Sequence, residues 1–217
     1  MAERAKLFKN GGSQAVRLPK ACRFPDDQQE VMVRKVGRRV VLEPVDAWPQ
    51  EFLACMGAWP EELPRPKDDP RSERAGSVRM SSPRRFMLDT DTVSFVLRGQ
   101  GAAGANLTAH APSAVCLSAI SLSELRFGAE KRRSKRLHRL IDTFVTTVDV
   151  VPFDAIAAAL FGRLGADLEG RGTPIGVLDT LIAAHALSLN LTLVTSNTKH
   201  FTRVKGLKTL NWLLDAG

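Results

Sequence analysis

Four oxygen-bearing side chains stand where apolar runs of the sequence end. Asp89 closes RFMLD, Asn197 follows LTLVT, Glu124 opens the helical stretch after AVCLSAI, and Asp179 opens LDTLIAAHALSL. Carboxylates brought together repel one another, and the usual remedy is a hard cation with oxygen ligands. Mg2+ or Mn2+ is the natural occupant, with Asp89, Glu124 and Asp179 as its ligands and Asn197 beside them. Such an ion lowers the pKa of bound water, orients it toward a phosphodiester and neutralises charge on the phosphorus oxygens. Each residue also has a plain structural reading. Ser121-x-x-Glu124 fits a helix capping box, Asp179 suits a helix N-terminus, and Asp89 and Asn197 suit turns. What sets them apart is their joint position.

That position comes from the elements that hold them. From residue 85 onward, RFMLD, AVCLSAI, TTVDVVPF, LTLVT and KTLNWLL read as buried strands, separated by helical stretches around 91–98, 121–145, 154–169 and 177–189. Strands alternating with helices imply a parallel sheet covered on both faces, and such sheets bind ligands beyond the carboxyl ends of their strands. All four residues fall at that edge. Competing chemistries lack their motifs: there is no G-x-S-x-G elbow, P-loop or G-x-G-x-x-G, and no two of His110, His138, His185 and His200 share metal-ligand spacing. His185, among alanines on a helix, reads as a packed supporting residue. Cys22, Cys55 and Cys116 form no Cys-x-x-Cys pair and read as buried or incidental thiols.

The chain of 217 residues carries a formal charge of +8, which points to a polyanionic partner. Residues 1–44 hold ten Lys/Arg against five Asp/Glu, residues 45–79 five against seven, and residues 80–217 sixteen against eleven, so two basic blocks flank a slightly acidic connector. No apolar run approaches the roughly 20 residues that span a bilayer, and the N-terminus lacks a secretory apolar stretch, so a cytosolic protein away from membranes is expected. In residues 1–45 the runs AKLF, QAVRLP, EVMVRKV and VVLEP alternate with turn signals at Asn10-Gly11-Gly12 and Gly37. This small β unit buries too little apolar surface alone, which predicts dimerisation. Residues 46–79 hold five prolines, and Phe52, Met56 and Trp59 are spaced for one short amphipathic helix. This segment is either a linker or an arm anchored in another domain's groove through Trp48, Phe52, Met56 and Trp59.

The C-terminal motifs MLDTDTVSFVLRG, SLSELRFGAEK, GTPIGVLDTLIAAHALSLNLTLVTSNTKHF and GLKTLNW resemble those of VapC toxins over about residues 80–217. The resemblance implies an α/β PIN domain and a magnesium-dependent endoribonuclease acting on RNA. It suggests tRNA, with initiator tRNA as the expected target. Asp89, Glu124 and Asp179 match the family's catalytic acids. Asn197 falls where many PIN nucleases carry a fourth Asp, and Asp91 stands where the DTNT motif usually has Asn. The N-terminal AKLFKNGGSQAVRLPKACRF and VVLEP resemble VapB antitoxins, which implies a swapped-hairpin, AbrB/MazE-like fold binding operator DNA as a dimer. Lys6, Asn10, Ser13, Gln14 and Arg17 are the candidate DNA contacts, since basic groups grip phosphates while Asn, Gln and Arg read base edges. Gly12 replaces the Arg of the family's NGRSQ.

Here the two parts are joined in one chain, naturally or by engineering, and Met80 resembles a toxin start kept inside the join. The run KRRSKRLHRL reads either as a solvated face or, with Arg126, as an RNA-backbone grip by Lys131, Arg132, Arg133 and Arg136. In the family an antitoxin arm wraps the toxin and a basic side chain reaches its acids; Arg65 matches that position best, with Lys67 the alternative. The leading expectation is a self-neutralised ribonuclease that also represses its operon and assembles through both parts. A transcriptional regulator with a silent PIN-like oligomerisation domain, and a structure-specific DNA nuclease, are the alternatives.

Overall fold

The computed structural model describes residues 5–24, 30–36, 39–62 and 85–214. Arg65, Lys67, Met80 and Gly37 lie outside the described residues. The chain divides into two compact units, Met1–Asp46 and Ala47–Gly217.

The first unit consists of two antiparallel hairpins, each its own two-stranded sheet: β1 (Lys6–Asn10) with β2 (Ser13–Arg17), and β3 (Val31–Val36) with β4 (Arg39–Pro44). Gly11 takes φ +57° in the first turn, a conformation that costs a residue without Cβ nothing in sterics. Leu7, Phe8, Met32, Val33 and Val40 remain exposed, as expected for a unit too small to close a core.

The second unit opens with a short helix, α1 (Gln50–Leu53), and then builds one sheet. Its elements are β5 (Phe86–Leu88), α2 (Thr90–Arg98), α3 (Ala103–Thr108), β6 (Val115–Ser118), α4 (Ala119–Lys131), α5 (Lys135–Thr147), β7 (Asp149–Val151), α6 (Ala155–Gly170), α7 (Val177–Ser188), β8 (Thr192–Val194), α8 (Thr198–Phe201) and β9 (Thr209–Leu210). The sheet runs β7-β6-β5-β8-β9, and all its pairings are parallel. Side chains alternate across it. Met87, Cys116 and Leu193 join one buried cluster with Leu168, Ile182 and Phe201, while their neighbours Leu88, Leu117 and Val194 join another with Leu97, Leu125 and Phe144. Continuous apolar strands are what a sheet covered on both faces requires. Among the described residues, no helix is long and apolar enough to cross a membrane.

Three details differ from the sequence expectation. The helical stretch expected over 121–145 is two helices: Arg133 takes φ 50°, and the Ser134 hydroxyl accepts from Leu137 N at 3.1 Å to cap α5. Nothing in the residue pattern had marked α3. The helix expected to carry Phe52, Met56 and Trp59 ends at Leu53, and the chain then turns through Gly57 at φ +72°.

That turn docks the arm. Trp48 stacks on Phe52 with centroids 4.5 Å apart, Phe52 packs 5.1 Å from Phe144, and Trp48 Nε1 donates to the His110 carbonyl at 2.7 Å. Phe52, Cys55 and Trp59 are buried in the same cluster as Leu97 and Phe144. Helix C-termini leave carbonyls without intrahelical donors. Trp59 N supplies one to the Leu97 oxygen of α2 at 2.8 Å, and Gly57 N adds a second donor at 2.9 Å to the Val96 oxygen, which also accepts from Gly99 N at 3.1 Å. The backbones meet at Gly99, the left-handed C-cap of α2 at φ 64°, where a Cβ would sit 2.9 Å from the Gly57 Cα. Gly99→Ala is therefore expected to cost about 2 kcal/mol or more, combining left-handed strain with a backbone clash. Urea denaturation measures the cost, and amide exchange at Gly57 and Trp59 reports whether the arm lets go. Unchanged stability would show that the close approach constrains nothing.

Candidate active site

Asp89 leaves β5 at its carboxyl end and caps α2, its Oδ1 accepting from Thr90 N at 2.7 Å. The helix N-terminus directs a backbone N–H and its dipole toward this carboxylate, which favours an acid there despite its being only 2% exposed. Thr195, at the matching end of β8, donates its hydroxyl to Asp89 Oδ2 at 2.8 Å and lies 3.5 Å from Asp91 Oδ2. Asp91 is buried too. Its Oδ2 also accepts from Ser196 N at 2.9 Å and from the Ser196 hydroxyl, and Oδ1 accepts from Thr92 Oγ1 at 3.2 Å. Glu124, buried in the second turn of α4, accepts from Thr90 Oγ1 at 2.6 Å. Hydroxyl bridges through Thr90 and Thr195 thus join Asp89, Asp91 and Glu124 into one network.

Asn197 touches this network, and Asp179 meets the helix that Asn197 caps. Asp179 sits in the first turn of α7, its Oδ2 3.6 Å from Nδ1 of His200 on α8. Asn197 begins α8, and its N–H donates to Thr195 Oγ1 at 3.1 Å. The capping-box reading of Ser121 and Glu124 is overturned. Ser118 caps α4, accepting from Ile120 N at 3.1 Å, while the buried Ser121 hydroxyl has no hydrogen-bond partner among the described residues. Glu124 is therefore turned to Thr90 and not to its own helix end.

The donors are all hard oxygens, which suits Mg2+ or Mn2+ and not a thiophilic metal. Among the described residues no three His, Cys, Asp or Glu side chains come together so as to hold a metal ion by themselves. Mg2+ seldom has one: it keeps several waters and takes one or two carboxylates together with substrate phosphate oxygens.

Sequence reasoning passed over Thr90, Thr195, Ser196 and the Ser118–His185 pair. Hydroxyl residues directly after a strand's last apolar residue were the available signal. His185 is 1% exposed; its Nδ1 lies 2.9 Å from Ser118 Oγ and its ring meets Phe153 edge-on. It braces the cap of the helix that carries Glu124, in keeping with a supporting role.

The other candidates divide. In the β1–β2 register Lys6 faces Arg17 and Asn10 faces Ser13, so alternation puts Lys6, Asn10, Ser13 and Arg17 on one exposed face and Gln14 on the other. Arg17 lies 5.9 Å over the Phe8 ring. Arg126 spans α4 and α5, donating to Asp142 at 2.5 Å and to the His138 carbonyl at 3.3 Å. Lys131 lies 5.8 Å over Phe127, and Arg133 forms the left-handed turn between the helices. Arg132 donates to Glu61 and to the Glu62 carbonyl, and Arg136 to the Ala58 carbonyl at 2.6 Å.

Residues 86–207 match the PIN domain family. The chain is 39% identical over 129 residues to the tRNA(fMet)-specific endonuclease VapC of Shigella flexneri, covering 59% of this chain and 98% of that protein. It is 35% identical over 130 residues to ribonuclease VapC2 of Haemophilus influenzae, covering 59% and 98%. Among solved structures, VapBC from Salmonella typhimurium bound to DNA aligns with TM-score 0.56 and 33% identity over 59% of this chain and 98% of that one. VapBC2 from Rickettsia felis bound to a promoter DNA fragment aligns with TM-score 0.55 and 32% identity over 58% and 98%. These matches cover the C-terminal part; the N-terminal region is aligned to none of them.

Burial pushes the pKa of His185 down from 6.5 to about 4, against smaller opposing effects from the Asp154 charge and a hydrogen bond with the Pro152 backbone. The unfolded chain therefore takes up the proton first. The contribution is complete above pH 6.5 and is lost as pH falls toward 4, on the order of 3 kcal/mol in all. His185→Gln, which retains a polar partner for Ser118 but does not titrate, is expected to flatten the fall in urea midpoint between pH 7 and pH 4.5. An equal fall in both proteins would mean that His185 is not the titrating group.

Proposed function

Because the chain belongs to the PIN domain family, we propose that it is a toxin and its antitoxin in one polypeptide: a divalent-metal-dependent endoribonuclease cutting tRNA, with initiator tRNA the expected substrate, restrained by its own arm. The observation that carries this reading is the buried network of Asp89 and Glu124 at the carboxyl edge of the sheet. The similarity to the Shigella tRNA(fMet)-specific endonuclease over 98% of that protein supports the substrate class.

In this reading Asp89, Glu124 and Asp179 hold Mg2+ or Mn2+, and Asn197 adds a weaker, neutral oxygen donor. When bound, such an ion supplies a low-pKa water and neutralises charge on the scissile phosphate. The chain's own groups prepare the acids. Thr90 and Thr195 aim the carboxylates of Glu124 and Asp89, and Asp91, with its oxygens occupied by Thr92 and Ser196, fixes the loop that begins α8. Lys131, Arg132, Arg133 and Arg136 bind the RNA backbone; Arg126, tied to Asp142, chiefly braces the helix pair.

The N-terminal unit, residues 1–45, binds operator DNA. Its hairpins leave Leu7, Met32, Val33 and Val40 exposed, which a second copy covers in a swapped-hairpin dimer. Lys6, Asn10, Ser13 and Arg17 present one face to DNA, and Gln14 serves from the hairpin's other side. Relatives solved as VapBC complexes with DNA support this partner. Residues 46–79 are the inhibitory arm, docked through Trp48, Phe52, Met56 and Trp59, with Arg65 or Lys67 reaching the acids. The C-terminal part, residues 80–217, pairs with its own kind in the assembly.

Two experiments test this. Total tRNA incubated with the full chain and with residues 80–217, with and without Mg2+, is expected to be cut by the shorter chain only when metal is present, and far more slowly by the full chain. Asp89→Asn or Asp179→Asn is expected to abolish cutting, a loss of at least about 100-fold, with the fold intact. Activity retained in both variants removes the acid assignment, and equal rates for the two chain lengths remove the inhibitory arm. Separately, Arg17→Ala is expected to weaken operator binding and reduce the slope of log K against log salt by about one contact's worth. An unaltered slope excludes Arg17 from the DNA surface.

A further inference from the structure

We propose that the arm restrains the nuclease at a second place, away from the acids: the Glu61 carboxylate and the Glu62 and Ala58 carbonyls stand in for RNA phosphates on the corner between α4 and α5, withholding Arg132 and Arg136 from substrate. This deepens the ribonuclease reading and rests on it.

The two ends of the Arg132 guanidinium are both engaged, Nη1 by the Glu61 carboxylate and Nη2 by the Glu62 carbonyl. A guanidinium offers the same planar fork to two phosphate oxygens. Arg136, in the first turn of α5, gives its Nη2 to the Ala58 carbonyl at 2.6 Å. Three acceptors of the arm thus engage terminal nitrogens of two arginines at one helix corner. Arg126 shows the contrast, since its partners Asp142 and the His138 carbonyl belong to α5. Arg132 lies eight residues after Glu124, roughly 12 Å along α4, so the corner serves the flanking strand of a bound RNA and not the phosphate being cut.

The mask is weaker than the anchor. Side chains of Arg132 and Glu61 remain 29% and 57% exposed, and an exposed ion pair is worth little and weakens with salt. The rest of the arm is held otherwise, by Phe52 against Phe144 and by the amides of Gly57 and Trp59 on α2. RNA can therefore displace Glu61 from Arg132 while the apolar anchor stays seated. Glu61 acts on substrate binding, whereas a basic residue among the acids acts on metal binding.

The test uses the full chain in EDTA, so that nothing is cut, with fluorescein-labelled tRNA as the probe. Glu61→Ala is expected to tighten binding roughly two- to fivefold, the range an exposed pair withholds, and to steepen the salt slope by about 0.7 to 0.9. Arg132→Ala added to Glu61→Ala is expected to abolish the gain. Amide protection at Gly57 and Trp59 should survive in every variant. No gain with Glu61→Ala, or a gain accompanied by loss of that protection, overturns the local mask. A gain that Arg132→Ala leaves intact overturns it as well, since the freed contact is then another residue. Failure of the ribonuclease reading looks different: residues 80–217 do not cut tRNA with Mg2+.

Discussion

Asp89 and Asp91 hang from the same hydroxyl, that of Thr195, with almost no solvent around either. Burying one carboxylate is costly, and placing a second beside it raises the cost further. The surrounding architecture meets that cost. β5 and β8 end side by side, so the first residues past them converge. The N-terminus of α2 adds a backbone donor and a favourable dipole, and Thr90 and Ser196 take up further oxygens. Neither helices nor strands alone would bring these groups together; parallel pairing in this register does. The two apolar layers on either side then hold the strand ends still.

Much of this was legible because the sheet's periodicity is simple. Runs such as RFMLD and LTLVT are fully apolar, so their ends, and hence Asp89 and Asn197, could be located from residue type alone. Asp179 followed from the helix preceding LTLVT. What stayed hidden depended on contacts between distant segments. The cap of α4 is Ser118 because His185, 67 residues away, meets its hydroxyl; local spacing favoured Ser121. The break between α4 and α5 sits at Arg133, a residue type with no preference for φ 50°, within a run whose charge gave no turn signal. The arginines of that run illustrate the same limit. Composition identified a basic face, but only the docked arm shows which cations are already engaged.

Residues 47–62 are as much a part of the second unit's interior as the helices are. Phe52, Cys55 and Trp59 share one apolar cluster with Leu97, Leu137 and Phe144, and amides of Gly57 and Trp59 donate to the last carbonyls of α2. Since arm and body are one chain, docking is unimolecular and independent of protein concentration. Weak polar contacts near Glu61 can then be exchanged without loss of the whole segment, because apolar burial and not charge supplies most of the hold.

The meeting of Gly57 and Gly99 bears on which arms this body can accept. Both residues are left-handed, and a Cβ on Gly99 would stand 2.9 Å from the opposing Cα. The contact is read by backbone shape, which no exchange of one apolar side chain for another can imitate. A segment carrying an ordinary residue where this one has Gly57 would bring matching aromatic anchors and clear Gly99 at 3.5 Å, yet be strained by the left-handed φ of +72° that the turn requires. The fit of this segment to the body is thus encoded partly in the absence of side chains, at Gly57 by its turn and at Gly99 by the close approach.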